Sequence, residues 1–481
     1  MIELSGKNTA LLRLFNAVRT NGGRALFVGG CVRDALLGHS TKDFDIEVYG
    51  LDATALESLL HREKFRFSPA GKSFGVFKLH GIPADIALPR RESKLGRGHK
   101  GFLVEGDPKM SLKDAAARRD FTVNSIYFDP LANEVIDPFN GRRDLALKLL
   151  RHTSPAFPED PLRVLRAMQF AARFRFNVAP ETVELCKSVL PEGLSAERIF
   201  DEWSKLITRG EEPSRGLSFL RNCGWIRLFP ELAALIGVPQ DPAWHPEGDV
   251  WNHTLAALDT FARERTAVND NFENLVVGFA VLCHDFGKPA TTRFSQKDRR
   301  WHAYGHDREG VAPTKRFLER MTNFRELIDG VLPLVACHMQ PIAIWRAGAS
   351  DSAVRRLARR VGRIDRLLRV CSADTMGRAS DANSDLRNAA AWLRSRAEAL
   401  RVHDSAPKPL VLGRHLLALG LPAGPAFSPI LHACYEAQLD GKFSDAAAGI
   451  AFAKKLLANK TDSAPAPATD SSDGNGAPAT D

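Results

Sequence analysis

The chain has 481 residues, 44% hydrophobic and 26% charged, which is longer than one domain usually runs and excludes a disordered, collagen-like or disulfide-stapled body in favour of ordinary globular domains. The net charge is +9, and the tail 461–481, with four Asp and no Lys or Arg, leaves +13 on the residues before it; such an excess points to a polyanionic partner and says nothing of fold. No apolar run approaches the roughly 18–20 residues of a membrane helix and no signal-peptide pattern opens the chain, while seven scattered cysteines without C-x-x-C argue against a disulfide framework or zinc ribbon and for a reducing, cytoplasmic setting.

The chain opens on one amphipathic helix, with Leu11, Leu12, Leu14, Phe15 and Val18 at helical spacing. From residue 23 to about 150, short apolar runs mix with glycines, and ALFVGG, FDIEVYG, FGVFKLHG, ADIAL and TVNSIYFD read as strands. From about 157 the pattern changes: DPLRVLRAMQFAARF begins helical patterns that continue to about 458. The order predicts an α/β head over 1–150, then all-α segments: a neck over 151–235, a third domain over 236–380 and a C-terminal helical body over 381–458. The end, TDSAPAPATDSSDGNGAPATD, has no large apolar residue to offset chain entropy, so 459–481 is expected to be disordered. No repeat of fixed period is present.

In FVGGCVRDALLGHSTKDFDIEVYG a strand through Phe27 and Val28 runs into Gly29 and Gly30, then into a helix with Val32, Leu36 and Leu37 on its apolar side. A second strand carries Asp43 and Asp45 at i and i+2, hence on one face. Two carboxylates that point together attract a hard divalent cation, which keeps waters and phosphate oxygens as its other ligands. A glycine turn lets backbone N–H groups approach a phosphate, and Arg33, just inside the helix, can reach one too. Either half alone is ordinary, since D-x-D is commonly a pair of solvated acids and G-G commonly only a turn. Joined in this order they resemble motif A of the class II tRNA nucleotidyltransferase and bacterial poly(A) polymerase family, within the polymerase-beta-like superfamily. The resemblance implies Mg²⁺ on Asp43 and Asp45.

Three further segments match that family in order. ADIALPRRE would place a third catalytic carboxylate, Asp85, on a neighbouring strand, where a plain edge-strand acid is the other reading. RRDFTVNSIYFD resembles motif B, which implies that Arg118, Arg119, Asp120 and Asn124 hold the triphosphate and select the ribose; without the resemblance RRD is a solvated charge run. Ala115 and Ser125 stand where the family often has an acid and an alanine, and neither departure touches the metal ligands. PEDPLRVLRAMQFAARF resembles the segment the family uses as a protein template for base choice, which implies nucleotide contacts from Glu159, Asp160, Arg163 and Arg166. Glu159 and Arg163 are four apart, so a helix would put them on one face. A carboxylate accepts from the exocyclic amine of cytosine or adenine and a guanidinium donates to the ring nitrogen, whereas uracil and guanine oppose both. Asp160 before Pro161 is also a good helix N-cap with Pro at the first position. Between these motifs, RRESKLGRGHKGF sets Gly96, Gly98 and Gly101 among Arg90, Arg91, Lys94, Arg97 and Lys100, a mobile basic loop beside the site. In the family a loop here goes with complete CCA synthesis.

From 236 to about 380 come VPQDPAWHPEGDVWNHTL, LCHDFGKPATT, YGHDREG, ACH and ADTMGR. Together they resemble the HD phosphohydrolase superfamily, which implies metal ligation by His253, His284, Asp285 and Asp374, with His306 and His338 completing a second position. Imidazole with carboxylate suits Mn, Ni, Fe, Co or Zn, or Mg where carboxylates dominate. Two such metals clamp a phosphate and activate a water. Lys288 reads as a phosphate contact or as a solvated charge.

AVRRLARRVGRIDRLLRV puts Arg355, Arg359 and Arg366 near one helical face, either to track a phosphate backbone or to be solvated. Near the end, Gly413, Gly420 and Gly424 would allow tight helix turns near RNA. The resemblance therefore implies an enzyme that adds C, C and A to tRNA from CTP and ATP with release of pyrophosphate, with HD phosphohydrolase activity beside it. It implies no membrane, and no protein partner is evident. The alternatives are a poly(A) or A-adding polymerase, and an HD hydrolase or RNA-binding protein with a vestigial head.

Overall fold

The computed structural model describes residues 9–41, 43–69, 75–94, 102–265, 270–376 and 384–461. The glycines and inner cations of the expected basic loop (Gly96, Arg97, Gly98, Lys100 and Gly101) and tail residues 462–481 lie outside the described residues. The chain forms two compact units, Met1–Met339 with Arg369–Arg387, and Gln340–Leu368 with Asn388–Asp481. This division cuts through the expected 236–380 segment, because residues 340–368 pair with later helices: Arg356 and Arg359 with Glu436, Asp351 with Arg396.

In the first unit, the opening helix Thr9–Thr20 buries Leu11, Leu14, Phe15 and Val18. The head is a mixed sheet of β1 (Arg24–Val28), β2 (Phe44–Tyr49), β3 (Phe67–Pro69), β4 (Val76–Leu79) and β5 (Ala84–Ala87), with β6 (Arg90–Lys94) and β7 (Phe102–Gly106) as a separate ribbon. Then β8 (Tyr127–Asp129) and β9 (Glu134–Ile136) complete the order β3-β4-β5-β2-β1-β8-β9. β1 is antiparallel to β2 and β8, and β2 is parallel to β5. Ala25–Val28 are all buried, as suits a central strand covered on both faces. The TVNSIYFD strand is only half a strand: Thr122–Asn124 form a 3₁₀ turn and pairing starts at Tyr127. Asp43 stands one residue before β2, whose first bond runs from Phe44 N–H to the Pro83 carbonyl.

The rest of this unit is helical, through Leu162–Phe174, Ala196–Arg209, Pro213–Asn222, Val250–Glu264, Asn271–Cys283 and Arg325–Cys337. Contrary to the sequence expectation, one stretch, Arg325–Arg346, is long and apolar enough to cross a membrane by length and composition; Pro333 lies inside it and His338 in it belongs to the cluster below.

In the second unit the expected arginine face is interrupted. Helix Asp351–Val361 ends at Gly362, with φ 75, and a new helix starts at Ile364, so Arg366 does not continue the face of Arg355 and Arg359. Arg359 pairs with Glu436 and covers the Tyr435 ring, and Arg355 reaches the Leu439 carbonyl. Val411, Leu416, Ile430, Cys434 and Phe443 form that unit's core. The last helix, Ala446–Thr461, runs three residues past the expected boundary at 458.

Candidate functional site

Along β2 the side chains alternate. Phe44, Ile46 and Val48 are buried, while Asp45 is exposed and Glu47 half-buried on the other face. Asp45 is the register partner of Asp85 on the adjacent β5, and Asp43 is exposed just ahead. Partial burial raises the Asp45 carboxyl; Arg119 opposes this, and Asp85, Asp43 and Glu47 add to it. Carboxylates gathered on one face, with Asp45 raised in part by its neighbours, are the arrangement a divalent cation relieves, so the three aspartates fit such an ion. The glycine turn closes over this face: Gly29 has φ 71, and a Cβ there would stand 3.0 Å from Arg119 Nη1 and 3.7 Å from Asp45 Oδ2. Gly30 opens the Gly30–Leu36 helix.

Behind the turn the expected triphosphate residues are bonded to one another. Arg33, 4% exposed, donates to Asn124 Oδ1 (2.5 Å) and to Asp34, and its guanidinium lies over Phe174. Asn124 donates to Asp120 Oδ1 (2.8 Å), which also accepts from the Phe121 N–H, and Arg166 Nε donates to Asp120 Oδ2 (2.7 Å). Burial alone would raise the Asp120 carboxyl, but Arg166 and these hydrogen bonds hold it below the usual range. Asp120 is thus a hub that ties Asn124, and through it Arg33, to Arg166.

The template segment folds differently from a single helix face. Glu159 ends a 3₁₀ turn over Phe157–Glu159, Asp160 is extended and the helix begins at Leu162, so Glu159 and Arg163 do not share a helix face. Asp160 has two partners: Oδ1 accepts from the Leu162 N–H, as a cap does, and Oδ2 pairs with Arg198 at 2.8 Å. Arg163 donates to the carbonyls of Ala156 (2.8 Å) and Arg118 (2.7 Å), which fixes its plane. A cavity of about 880 Å³ joins Asp45, Glu47, Asp85 and Arg118 to Glu159, Asp160 and Arg163. A second, of about 450 Å³, shares Asp45, Arg119, Asp160 and Arg163 and adds Arg166, Arg173, Lys205 and Arg209. Sequence reasoning missed Arg198, Arg173, Lys205 and Arg209, whose place depends on helix packing, and Glu47, which the period-2 pattern of β2 could have revealed.

The histidine cluster brings every expected ligand together. His253 Nε2 lies 3.0 Å from Asp374 Oδ1 and 3.3 Å from His284 Nε2. His306 Nε2 lies 3.1 Å from His338 Nε2 and 3.5 Å from Asp285 Oδ1. The opposite ring nitrogens are pinned: Nδ1 of His284, His306 and His338 donates to the carbonyls of Val281, Ala303 and Val335, and Nδ1 of His253 to Glu247 Oε1 (2.7 Å). A carbonyl can only accept, so these rings carry their proton on Nδ1 and turn an Nε2 lone pair inward. Burial, then the neighbouring His306 and His284, pushes His338 down to about 3, so its Nε2 stays unprotonated at neutral pH. Lone pairs facing at such distances, with both oxygens of buried Asp285 lacking a well-aligned hydrogen bond, fit cations in two groups, His253/His284/Asp374 and Asp285/His306/His338. Lys288 is neither solvated nor aimed outward: its Nζ is 2.7 Å from Asp285 Oδ2 and 2.7 Å from Gln240 Oε1. Gly287 lets the His284 and His306 segments touch, since a Cβ there would lie 2.1 Å from the His306 carbonyl. Sequence reasoning missed Glu247, which sits in the quoted WHPEGDVWNHT but shows its role only when the loop folds back on His253. A cleft of about 380 Å³ reaches His306 and Lys288 between Trp244, Trp301 and Tyr304.

Comparison with known proteins agrees with this geometry. Residues 25–151 match the family described as Poly A polymerase head domain, and 175–236 the one described as probable RNA and SrmB-binding site of polymerase A. The multifunctional CCA protein of Xylella fastidiosa (strain M23) is 38% identical over 373 residues, 74% of this chain and 84% of that one. That of Laribacter hongkongensis is 40% identical over 368 residues, 74% and 85% of the two chains. The Bacillus stearothermophilus CCA-adding enzyme in complex with CTP superposes with a TM-score of 0.63 at 20% identity, covering 96% of this chain and all of that one. The Thermotoga maritima CCA-adding enzyme complexed with tRNA has a TM-score of 0.57, also at 20% identity, over 94% and 96% of the chains. These two share the fold, and the closer sequence relatives settle the family: the chain belongs to the class II CCA-adding family.

Proposed function

We propose that the chain adds C, C and A in turn to the 3′ end of tRNA, taking CMP from CTP and AMP from ATP and releasing pyrophosphate. The observation that carries this reading is the single wall, Asp45, Arg119, Asp160 and Arg163, shared by a large cavity of mixed charge that holds Asp45 and Asp85 and a smaller, strongly basic one. The basic cavity suits a triphosphate, against the Gly29 turn, Arg119 and Arg166. The larger one leaves room for the RNA 3′-hydroxyl beside Asp45 and Asp85. Asp43, Asp45 and Asp85 would hold Mg²⁺, which supplies a lower pKa for the attacking hydroxyl and neutralises charge at the α-phosphate. Asp160 and Arg163 face the base, and pairing with Arg198 orients the Asp160 carboxylate. The test is one gel with a tRNA that ends just before CCA. CTP alone should add two C, ATP then one A, and UTP and GTP should be poor substrates. Long A tails on any RNA would mean a poly(A) polymerase, and a lone A on tRNA already ending in CC an A-adding enzyme.

The histidine cluster supports a second activity, metal-dependent hydrolysis of a phosphate ester such as a 2′,3′-cyclic phosphate. His253, His284, Asp374, Asp285, His306 and His338 would hold two divalent ions, with Mn, Ni, Fe, Co or Zn the best match to imidazole. Lys288 neutralises Asp285 at the end of the aromatic-walled cleft. His284→Ala should abolish the hydrolysis and lower bound metal without slowing CCA addition; a wild-type chain with no transition metal by elemental analysis would remove this reading.

A further inference from the structure

The reading above gives no task to Glu47, although it projects on the same side of β2 as Asp45, two residues on. We infer that Glu47 is a positioning residue for nucleotidyl transfer, holding the Arg119 guanidinium beside the Gly29 turn and off the Asp45 carboxylate. The inference rests on the transferase reading of the head.

Both oxygens of Glu47 are engaged, in different directions. Oε1 accepts from Arg119 Nη2 at 3.3 Å, and Oε2 accepts from the Tyr49 hydroxyl at 2.7 Å. Tyr49 is buried, its hydroxyl 3.5 Å from that of fully buried Tyr127, and the Arg119 guanidinium lies 5.8 Å from the centre of the Tyr127 ring. The carboxylate is therefore anchored from behind by a phenol and turned toward the arginine, which is itself steered by the Tyr127 face. The other end of Arg119 projects to the turn, with Nη1 3.0 Å from where a Gly29 Cβ would be, and Asp45 Oδ2 is 3.7 Å from that same point.

A guanidinium so near a carboxylate has two claimants. Free to choose, it would close on Asp45 in a fork of two hydrogen bonds and compete with any cation for those oxygens. Glu47 gives Arg119 another partner with less solvent around it: its side chain is 13% exposed, whereas Asp45 is exposed. That leaves Asp45 to the cation and Arg119 to the incoming phosphates. Among the acids on this face, Asp43, Asp45 and Asp85 face the metal, and Glu47 guards them from the arginine.

The test uses the full chain with Glu47→Ala, Glu47→Gln and Tyr49→Phe. Three quantities are read: the Mg²⁺ concentration giving half-maximal addition of one C, CTP binding in EDTA, and the unfolding midpoint. Glu47→Ala should raise the half-saturating Mg²⁺ by roughly tenfold, the usual scale for losing a partner one shell out from a metal, and weaken CTP binding in EDTA as Arg119 leaves the turn. Glu47→Gln, whose amide oxygen still accepts from Arg119, should stay near wild type in both. Tyr49→Phe, which keeps the carboxylate and loosens only its anchor, should move Mg²⁺ the same way by less, and it covers the case in which Glu47→Ala does not fold. An equal Mg²⁺ defect in the Gln and Ala variants would make Glu47 a ligand and overturn the inference. An unchanged Mg²⁺ requirement with a lowered midpoint would make it structural, which overturns it as well. A wild-type chain that adds no C defeats the transferase reading instead, while CTP binding in EDTA still reports on Glu47.

Discussion

The head and the histidine cluster both gather acids and nitrogen bases at one place, by opposite means. In the head, Asp43 and Asp45 are exposed at the start of β2, a central strand of the sheet, and their like charges are left to repel. In the cluster, His253, His284 and Asp285 are at most 1% exposed, and the ring nitrogens facing away from the centre are pinned by carbonyls or by Glu47's counterpart there, Glu247. The difference follows from what must enter. A site that admits a nucleotide and an RNA end together stays open and wet, so its charges have to be kept apart by neighbours such as Glu47 and Asp120. A site for one phosphate group can be dry and preformed, and its geometry is then set by the helices that carry the ligands. The head should therefore fail chemically when a charge is lost, and the cluster should fail by losing metal.

The sharpest break in that comparison is Asp45→Asn. It keeps the shape of β2 and removes one charge, so tRNA binding and the hydrolysis of a phosphate ester should stay near wild type. Nucleotide incorporation should fall by roughly 10³-fold or more, the several kcal/mol a bound metal contributes at a phosphoryl group. Incorporation surviving at a tenth of wild type would show that Asp45 is not the metal's main anchor.

Asp120→Asn comes next, and it probes stability rather than chemistry. Removing the charge leaves Arg166, about one third exposed, beside a neutral amide, at a cost of about 2–3 kcal/mol. The pH dependence has a definite sign. The folded carboxyl titrates below its ordinary value, so the contribution is fully present above the unfolded pKa of about 3.9 and is lost as pH falls through the folded one. Urea midpoints of the wild type should fall on acidification below about pH 4, and those of Asp120→Asn should fall less steeply there.

The same two regions show what a sequence can and cannot reveal. That Asp45 and Asp85 come together was legible because strand alternation and motif order are local, and the gathering of the cluster because the order of its residues along the chain matches a known pattern. The partners that tune them were not. Arg198 reaches Asp160 from a helix starting 36 residues later, and Arg163 spends its donors on backbone carbonyls that no side-chain pattern encodes. The arginine run at 355–366 looked like one face, phosphate-tracking or solvated, because periodicity cannot see Gly362 breaking the helix or Glu436 pairing with Arg359. Lys288 read as a phosphate contact or a solvated charge, because burial is a property of the fold.

Arg163→Ala should have a smaller effect, on choice rather than rate. On the proposed reading the triphosphate is gripped elsewhere, so CTP affinity should drop only modestly. Discrimination of CTP over UTP should fall by about 10²-fold, part of the larger ratio that a site built on hydrogen bonds achieves. Equal losses for both nucleotides would assign Arg163 to holding the turn over Phe157–Glu159 rather than to reading the base.

The smallest expected effect lies in the cluster and uses its one irregular feature. Three of its histidines are oriented by the backbone carbonyl three residues earlier in the chain, which no substitution can remove. His253 is oriented by Glu247, whose Oε1 also takes His245 Nδ1 at 2.9 Å. Burial would raise that carboxyl, yet the bonds from His245 and His253 hold it down to about 2, so it remains an anionic acceptor throughout the working pH range. Glu247→Ala should let the His253 ring turn and weaken metal retention by roughly tenfold, with CCA addition unchanged. Glu247→Gln should keep most of the affinity, because its amide oxygen still accepts from Nδ1. Metal retained after dialysis against a graded chelator series measures both variants. If Glu247→Ala loses as much metal as His284→Ala, Glu247 is itself a ligand; if neither Glu247 variant loses any, packing alone orients His253 and the cluster is as fully preset by its helices as the head is not.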